Sequence, residues 1–293
     1  MEIEYKSVTT LEEIANDAAA LIPAHDYKIN LLLAYELPAN DLIRNELLDV
    51  QDTARQWSAE QCPENLYFNH GQYRVNGVKN IINELQIKPS SNRAIYSLID
   101  QKTIMDSGDN PIPSFMLFQS ILDDGVLYCN IYLRALEVSK FLRINLEEIR
   151  LNIEEISRST LNFQKVKLTI LACRAHHVPN FNPLEKPKLD LMSQYQIMTM
   201  IRDNRDEFIR NVAQMANIQT VPSSKSIKYI LEIVDGEWKA ENKGRIKSLL
   251  SDTVSKIDEL VMLRRQHSHH DRVNELSRNI SDTLRVLVGE FSA

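Results

Sequence analysis

Three residues with side chains suited to ligand chemistry stand in one stretch of the sequence, from Asn110 to Asn145. Ser114 offers a hydroxyl, Arg134 a guanidinium 20 positions later, and Asn145 a carboxamide 31 positions after the serine. A guanidinium matches the oxygens of a phosphate, and a carboxamide can donate and accept hydrogen bonds at adjacent atoms. A serine hydroxyl becomes a useful nucleophile only where a base activates it. The stretch therefore predicts a site for a small anionic ligand.

The order and spacing of these residues resemble the catalytic segment of the thymidylate synthases. That family shows Pro-Cys-His, then a strand ending in Tyr-x-Arg-Ser, and then an asparagine. The corresponding residues here are Pro113-Ser114-Phe115, Tyr132-Leu133-Arg134-Ala135 and Asn145, with no gap in the spacing. The resemblance covers roughly residues 38–189 and is strongest in the middle third of that range.

The resemblance implies a nucleotide site. Arg134 is similar to the arginine that holds the phosphate from the same subunit, and Arg93 to one that reaches the phosphate across a dimer. Asn145 resembles the asparagine that reads the pyrimidine edge, and His176 the histidine that touches the sugar. A homodimer that binds a pyrimidine nucleoside monophosphate is the expectation.

The departures from the family concern its chemistry and its second substrate. Ser114 replaces the nucleophilic cysteine, whose thiol ionises far more readily than a hydroxyl. Phe115 replaces the neighbouring histidine. At the folate side, Glu137 replaces an aspartate and Phe141 a glycine. We therefore expect no folate cofactor and no methyl transfer.

Two further differences point the same way. Between Val50 and Gly71 only 20 residues remain, which is too few for the long glutamate- and tryptophan-bearing helix that lines the family's active site. The final residues, GEFSA, lack the apolar tail that closes over folate. The favoured hypothesis is a pseudoenzyme that binds a nucleotide and signals its occupancy through the C-terminal helices or a partner protein.

Other functions remain open at this stage. The chain could be a methyl- or hydroxymethyl-transferase of a pyrimidine nucleotide with a replaced nucleophile. It could be a nucleotide hydrolase that uses a water held by Glu137 or His176. A third alternative is a structural assembly subunit with an empty pocket.

Composition limits the partners. A net charge of -6 with mixed signs along 293 residues gives no broad basic face, which disfavours extended nucleic acid. No apolar run is long enough to span a membrane and the start has no signal-peptide pattern, so a cytoplasmic location is expected. Cys62, Cys129 and Cys173 are widely spaced, so they are expected to be reduced and mostly packed.

The pattern of elements predicts an α+β fold, with a mixed sheet and packed helices over residues 1–190 and an all-α region over residues 191–293. The resemblance implies that the first region has a thymidylate-synthase-like fold. Asp123-Asp124-Gly125 marks a hairpin, because such a turn needs positive φ angles. Apolar periodicity and breaker residues predict the other elements of the first region. Helices are expected over 11–21, 75–86 and from Asn145 onward, and strands over 27–35, 44–50, 94–99, 115–122, 126–133 and 166–174.

Two charged clusters have plain interpretations. The glutamate pairs Glu147-Glu148 and Glu154-Glu155 are predicted to form the solvated face of a helix. HSHHD, from His267 to Asp271, could hold a metal ion, but no further ligand lies nearby in the sequence. A polar turn between two antiparallel helices is the preferred interpretation, and no metal site is predicted.

Overall fold

The computed structural model describes residues 3–106, 112–179, 181, 185–217, 223–239, 241–266 and 271–292. The chain divides into two compact units. The first is formed by Met1–Pro63, Phe68–Asp106 and Ile112–Pro183, and the second mainly by Leu184–Ala293. The second unit thus starts slightly before the predicted boundary at residue 190.

The first unit contains a mixed sheet, as the sequence predicts. Its strands are ordered β1-β2-β7-β5-β4-β3, and β6 pairs with β7 beyond the end of β5. β2 and β7 are antiparallel, whereas β5 and β7 are parallel. The strands span Lys6–Ser7 (β1), Tyr27–Pro38 (β2), Ile95–Ser97 (β3), Phe115–Asp123 (β4), Val126–Leu133 (β5), Leu136–Glu137 (β6) and Lys165–His176 (β7).

Helices of the first unit lie between these strands. Thr10 caps the first helix by accepting a hydrogen bond from the Glu13 amide, as its position in the sequence suggests. The helices span Leu11–Ala20 (α1), Ala39–Arg44 (α2), Gln51–Ser58 (α3), Gly71–Arg74 (α4), Gly77–Ile87 (α5), Gln101–Asp106 (α6) and Phe141–Ser157 (α7).

The predicted hairpin is confirmed. Asp124 and Gly125 join β4 to β5 with φ angles of 46° and 72°, the left-handed conformation that this tight turn requires. The strand predicted over residues 44–50 is wrong. Pro38 ends β2 and Ala39 starts a short helix. The apolar residues Leu47 and Val50 follow that helix in an irregular segment, where both are buried.

Helix α7 is the central helix of this unit. Twelve of its seventeen residues are buried, and it packs against α1, α2, α3 and α5. The prediction that Glu147 and Glu148 face solvent is therefore wrong, since both are buried. Arg150 donates from Nε to Glu147 Oε1 at 2.8 Å, and the Leu47 amide donates to Oε2 at 3.1 Å, so this carboxylate has partners inside the protein.

One face of the sheet carries a row of exposed apolar side chains. Leu32, Leu171 and Tyr132 lie side by side on β2, β7 and β5, and they are 50%, 36% and 36% exposed. Leu117 on β4 continues the row, because it pairs with Tyr132. Such a row on a sheet face is typical of a surface that another molecule covers.

The second unit is helical, as the sequence predicts. Asn242, just before helix Lys243–Gln266 (α11), donates to the carbonyl of Glu290 near the end of helix Asp271–Ser292 (α12). Arg272 at the start of α12 pairs with Glu259 late in α11, so these two helices are antiparallel. In the described part of the chain, no helix is both long and apolar enough to cross a bilayer. The helices span Gln194–Asp203 (α8), Arg205–Met215 (α9), Lys225–Glu237 (α10), Lys243–Gln266 (α11) and Asp271–Ser292 (α12).

Candidate functional site

Ser114 and Arg134 lie together where β4 begins and β5 ends. The Arg134 amide donates to the Ser114 carbonyl at 2.9 Å. The Arg134 side chain is exposed, and it donates to the carbonyls of Pro113 and Ile112 at 3.2 and 2.9 Å. Desolvation by these neighbours lowers the pKa of the guanidinium, which still remains charged at neutral pH. Its positive charge has no carboxylate partner among the described residues.

The Ser114 hydroxyl has no hydrogen-bond partner among the residues that the structure describes. A general base would have to lie within hydrogen-bonding reach of this oxygen to activate it. The adjacent Phe115 is instead buried, and its ring faces His70 with the centroids 5.7 Å apart. The structure therefore gives Ser114 a position beside Arg134 but no activating group.

Arg93 lies apart from this pair, between α5 and β3. Its amide donates to the Ser91 hydroxyl at 3.2 Å, and its side chain is exposed with no polar partner in the described part of the chain. No contact joins it to Arg134. An exposed arginine without a partner is consistent with a role toward a ligand or a second subunit, and that role stays a prediction.

Glu137 accepts hydrogen bonds at the start of α7. Its buried carboxylate receives the amides of Ser139, Lys140, Phe141 and Val178 at 2.8, 2.9, 3.1 and 3.2 Å. An anion in this place satisfies amides that a helix N-terminus leaves free. With its oxygens occupied in this way, Glu137 is poorly placed to hold a water for hydrolysis.

His176 is the last residue of β7 and pairs in register with Glu137 on β6. Its carbonyl accepts the amide of Val138 at 2.9 Å. Phe141 follows at the first turn of α7, where its ring contacts Trp57 and Phe181 at centroid distances of 5.1 and 6.1 Å. Phe141 is thus part of an aromatic cluster. That its ring takes the space of a folate cofactor stays a prediction.

Asn145 is the predicted base-reading residue, and its environment is unusual. The residue is 1% exposed, yet neither its amide nitrogen nor its oxygen has a hydrogen-bond partner among the described residues. Leaving a buried polar group unpaired costs about 1–3 kcal/mol. Asn145 lies one turn after Phe141 and just under one turn before Glu148, so the three share a face of α7.

Two more unpaired groups lie on the elements packed against that face. The indole nitrogen of Trp57 and Nε2 of His70 are buried and have no partner among the described residues. The Trp57 and His70 rings are 4.9 Å apart, and the Phe141 ring lies 6.4 Å from that of His70. We call the set Trp57, His70, Phe115, Phe141, Asn145 and Glu148 the His70 cluster.

His70 and Glu148 form a buried pair within this cluster. Nδ1 of His70 lies 2.8 Å from Oε2 of Glu148, and both side chains are less than 5% exposed. The Ser58 hydroxyl donates to the other carboxylate oxygen at 3.3 Å. An ionised carboxylate can only accept, so this contact favours the tautomer with the proton on Nδ1. The other ring nitrogen, Nε2, has no partner among the described residues.

A second hydrogen-bonded chain supports the pair one turn further along α7. Arg74 donates from Nη1 to Asn152 Oδ1 at 2.7 Å and from Nη2 to the Ser58 carbonyl at 3.2 Å. Asn152 donates to the buried Tyr96 hydroxyl at 2.9 Å. Burial raises the pKa of this phenol, so it remains neutral. Both polar atoms of the Asn152 side chain are thus paired, unlike those of Asn145.

The segment that carries His70 is held tightly against α3. Asn69 donates to the carbonyls of Gln56 and Ala59 at 3.0 and 2.6 Å and accepts the Gln72 amide at 3.1 Å. A Cβ atom on Gly71 would lie 2.0 Å from the Ala59 carbonyl oxygen. Only glycine fits there, so the backbone beside His70 has a fixed path.

The sequence interpretation missed Trp57, His70 and Glu148. It judged the segment between Val50 and Gly71 too short for the family's long glutamate- and tryptophan-bearing helix. The helix found there, α3, has eight residues and carries Trp57. The pairing with Glu148, 78 positions away, has no local sequence signature.

Metal ligation has no support in the described residues, which contain no group of three or more histidine, cysteine, aspartate or glutamate side chains that could hold an ion. His267 to His270 of the HSHHD cluster lie outside the described residues. Cys129 is buried as predicted, whereas Cys173 is exposed, so the prediction that it is packed is wrong.

An open cavity of about 320 Å³ lies in the helical unit, between α8 and α9. Met192, Tyr195 and Met200 supply apolar surface, and Asp203 and Glu207 supply acidic groups. Its lining contains no cationic side chain, so it is unsuited to a phosphate. The side chains that line this cavity therefore differ in chemistry from those of the His70 cluster.

Comparison with known proteins gives no family. No protein-family model matches the chain, and no curated protein matches it significantly. The function must therefore be argued from the residues of the site.

Proposed function

We propose that this chain binds a pyrimidine nucleoside monophosphate, with the base at the His70 cluster and the phosphate at Arg134. In this proposal the protein resembles a thymidylate synthase in its binding half and does not transfer a methyl group. One observation carries the proposal: the buried amide of Asn145 has no partner among the described residues, and neither have Trp57 Nε1 and His70 Nε2 on the elements packed against the same face of α7.

The chemistry of these free atoms suits a pyrimidine. Trp57 supplies a donor, His70 an acceptor in the tautomer that Glu148 favours, and Asn145 one of each. A pyrimidine edge carries donors and acceptors on adjacent atoms, and its flat faces pack well against aromatic rings. A bound base would relieve the cost of the unpaired groups, which supports binding at this place.

Binding requires a rearrangement. The free atoms of Trp57, His70 and Asn145 are sealed from solvent, so a base can reach them only if the neighbouring rings separate. Phe141 is the strongest candidate for this movement, since its ring lies between Trp57 and Phe181. The indole of Trp57 then changes its surroundings on binding, and its fluorescence should report it.

Phosphate binding at Arg134 is supported by its exposure and by its lack of a carboxylate partner. A phosphate would give the guanidinium charge-assisted bonds that are stronger than those to the carbonyls of Ile112 and Pro113. Arg93, which is equally exposed, would contribute from a second copy in a homodimer. The apolar row of Leu32, Leu171 and Tyr132 on the uncovered sheet face supports such a dimer.

The absence of methyl transfer is supported by Ser114, for whose hydroxyl the described residues supply no activating base, and by Phe141, which fills core space near the start of α7. An enzyme of another kind is the second candidate, and the His70–Glu148 pair favours it because a base oriented by a carboxylate can remove a proton.

A protein partner of the helical unit is also part of the proposal, and the apolar lining of the cavity between α8 and α9 supports it.

Isothermal titration calorimetry of the whole chain tests the binding proposal. We expect deoxyuridine or deoxycytidine monophosphate to bind, and the parent nucleosides, which lack phosphate, to bind at least about tenfold more weakly. Arg134→Ala should weaken nucleotide binding to the level of the nucleoside. Arg174→Ala is the matched control, because Arg174 lies elsewhere on the sheet. Its Cζ atom stacks 3.8 Å from the centre of the Tyr27 ring. If neither nucleotide gives a measurable heat of binding, the proposal is contradicted.

Release of tritium from C5-labelled nucleotide separates binding from synthase-like chemistry, since exchange at C5 needs addition of a nucleophile at C6. We expect no release from the wild-type protein or from Ser114→Cys. Release by the wild-type protein would establish the enzyme alternative in its synthase-like form.

A further inference from the structure

Nε2 of His70 is a buried ring nitrogen that has no partner among the described residues. We propose that Glu148 holds His70 with its proton on Nδ1, so that Nε2 accepts a hydrogen bond or a proton from the ligand of this site. The identity of that ligand rests on the proposed function. The protonation state of His70 does not.

The geometry gives the first step. Glu148 Oε2 lies 2.8 Å from Nδ1, and a carboxylate offers no proton, so the hydrogen between them belongs to the ring. In a neutral imidazole the second nitrogen is then a bare acceptor. That nitrogen is buried and has no partner among the described residues, so nothing in this part of the protein competes with a ligand for it.

The surroundings give the second step. Glu148 from α7 is the charged group that contacts His70, and Arg74 from α4 binds Asn152 one turn further along α7. Trp57, Phe115 and Phe141 surround the ring with apolar atoms. If Nε2 takes a proton from the ligand, the positive charge that forms on the ring is stabilised by the Glu148 carboxylate 2.8 Å away.

Three observations make this more than a core hydrogen bond. The pair is held by fixed neighbours, namely Gly71 and Asn69 on one side and Ser58 on the other. The Trp57 ring, whose nitrogen is also unpaired among the described residues, lies 4.9 Å from that of His70. A histidine that served packing alone would be expected to have both nitrogens paired, as most buried polar groups are.

A ligand with an N–H or O–H group at this point therefore fits best, and a pyrimidine base with a ring or exocyclic N–H is such a ligand. Glu148 acts here as a positioning residue through His70.

Nitrogen-15 NMR of the whole protein, with His70 assigned by comparison with His70→Asn, tests the tautomer without a ligand. We expect an Nδ1 signal typical of a protonated nitrogen and an Nε2 signal typical of a bare one at neutral pH. In Glu148→Gln the carboxamide can donate to Nδ1, and the two signals should exchange. A proton found on Nε2 of the wild-type protein overturns the inference.

Calorimetry with deoxyuridine monophosphate adds the ligand test. His70→Asn, which keeps a donor for Glu148 and lacks Nε2, and Glu148→Gln should each lose about tenfold in affinity. His177→Gln and Glu155→Gln are the controls and should stay within about twofold, because His177 Nδ1 contacts the Ile22 carbonyl and Glu155 lies two turns beyond Glu148 on α7, where it is only partly buried. Thermal melting confirms that each variant is folded.

The outcomes separate the two claims. If neither nucleotide binds the wild-type protein but Nε2 is bare, the proposed function fails and the basic dyad stands. If the nucleotide binds and both variants bind it equally well, the dyad fails as a ligand contact while the proposed function stands.

Discussion

His70 and Glu148 are 78 positions apart in the sequence, and their side chains meet at 2.8 Å in the buried interior of the first unit. Helix α7 carries the carboxylate, and a short segment fixed against α3 carries the imidazole. Asn145 lies on the same face of α7 with both of its polar atoms unpaired. This combination of one paired dyad and one unpaired amide has direct consequences for stability and binding.

Asn145 and Asn152 should respond differently to removal. Asn145→Ala deletes two unpaired polar atoms, so we expect the ligand-free stability to stay within about 1 kcal/mol of the wild type. Asn152→Ala removes the partner of Arg74 and of Tyr96, and should cost about 2–3 kcal/mol. Urea unfolding followed by Trp57 fluorescence, in a Trp238→Phe background, measures both. Equal losses for the two variants would mean that Asn145 has a structural partner.

Glu137 should matter for stability. Glu137→Ala frees the amides of Ser139, Lys140 and Phe141 at the start of α7, and we expect a loss of about 2–4 kcal/mol. The same fluorescence assay applies, with Glu155→Ala as a control that should change little. Unchanged stability with abolished nucleotide processing would instead assign Glu137 to catalysis.

Arg143 should make stability depend on pH. It donates to Glu12 and to Asp49, and these hydrogen bonds lower the pKa of both carboxyl groups. A depressed folded-state pKa stabilises the protein above the unfolded value, near pH 4, and this stabilisation is lost as the pH falls through the folded values.

Arg143→Met should therefore cost about 1 kcal/mol at pH 7, a modest value because both carboxylates are half exposed. The difference from the wild type should vanish by about pH 2–3. Urea midpoints at the two pH values measure it, and Arg55→Met, whose pair with Asp52 is exposed, is the control. A difference that persists in acid would mean that Arg143 acts through packing.

The cysteines should differ in reactivity. Burial raises the pKa of the Cys129 thiol to about 12, whereas Cys173 is exposed on β7. A disulfide reagent at pH 8 should modify Cys173 in the folded protein and Cys129 only in urea, because the thiolate is the reactive form. Cys173→Ser should remove the fast phase. Fast modification of Cys129 in the native protein would contradict its burial.

Local signals explain what could be predicted of the fold. Asp124-Gly125 has the positive φ angles of a tight hairpin, and the apolar spacing of Val78, Ile81 and Leu85 gives a helix that buries one face. Residues 44–50 look like a strand by composition. Tertiary packing overrides that preference there, because Glu147 on α7 accepts the Leu47 amide in place of a neighbouring strand.

The site was harder to predict for the same reason. Arg134 follows Ser114 in register because β4 and β5 form a hairpin, which is local. Glu147 and Glu148 have a solvated pattern in the sequence, and their burial depends on distant partners, namely the Leu47 amide for Glu147 and His70 for Glu148. Pairing across distant segments is fixed by the fold, so no periodicity could reveal the dyad.

A crystal structure of the protein soaked with deoxyuridine monophosphate tests the central claim most directly. We predict pyrimidine density bounded by Trp57 and a displaced Phe141, with the Asn145 amide bonded to the base edge. The phosphate should bind Arg134, joined by Arg93 from a second copy. Nucleotide bound elsewhere, or an unchanged His70 cluster at saturating ligand, would contradict the proposed function.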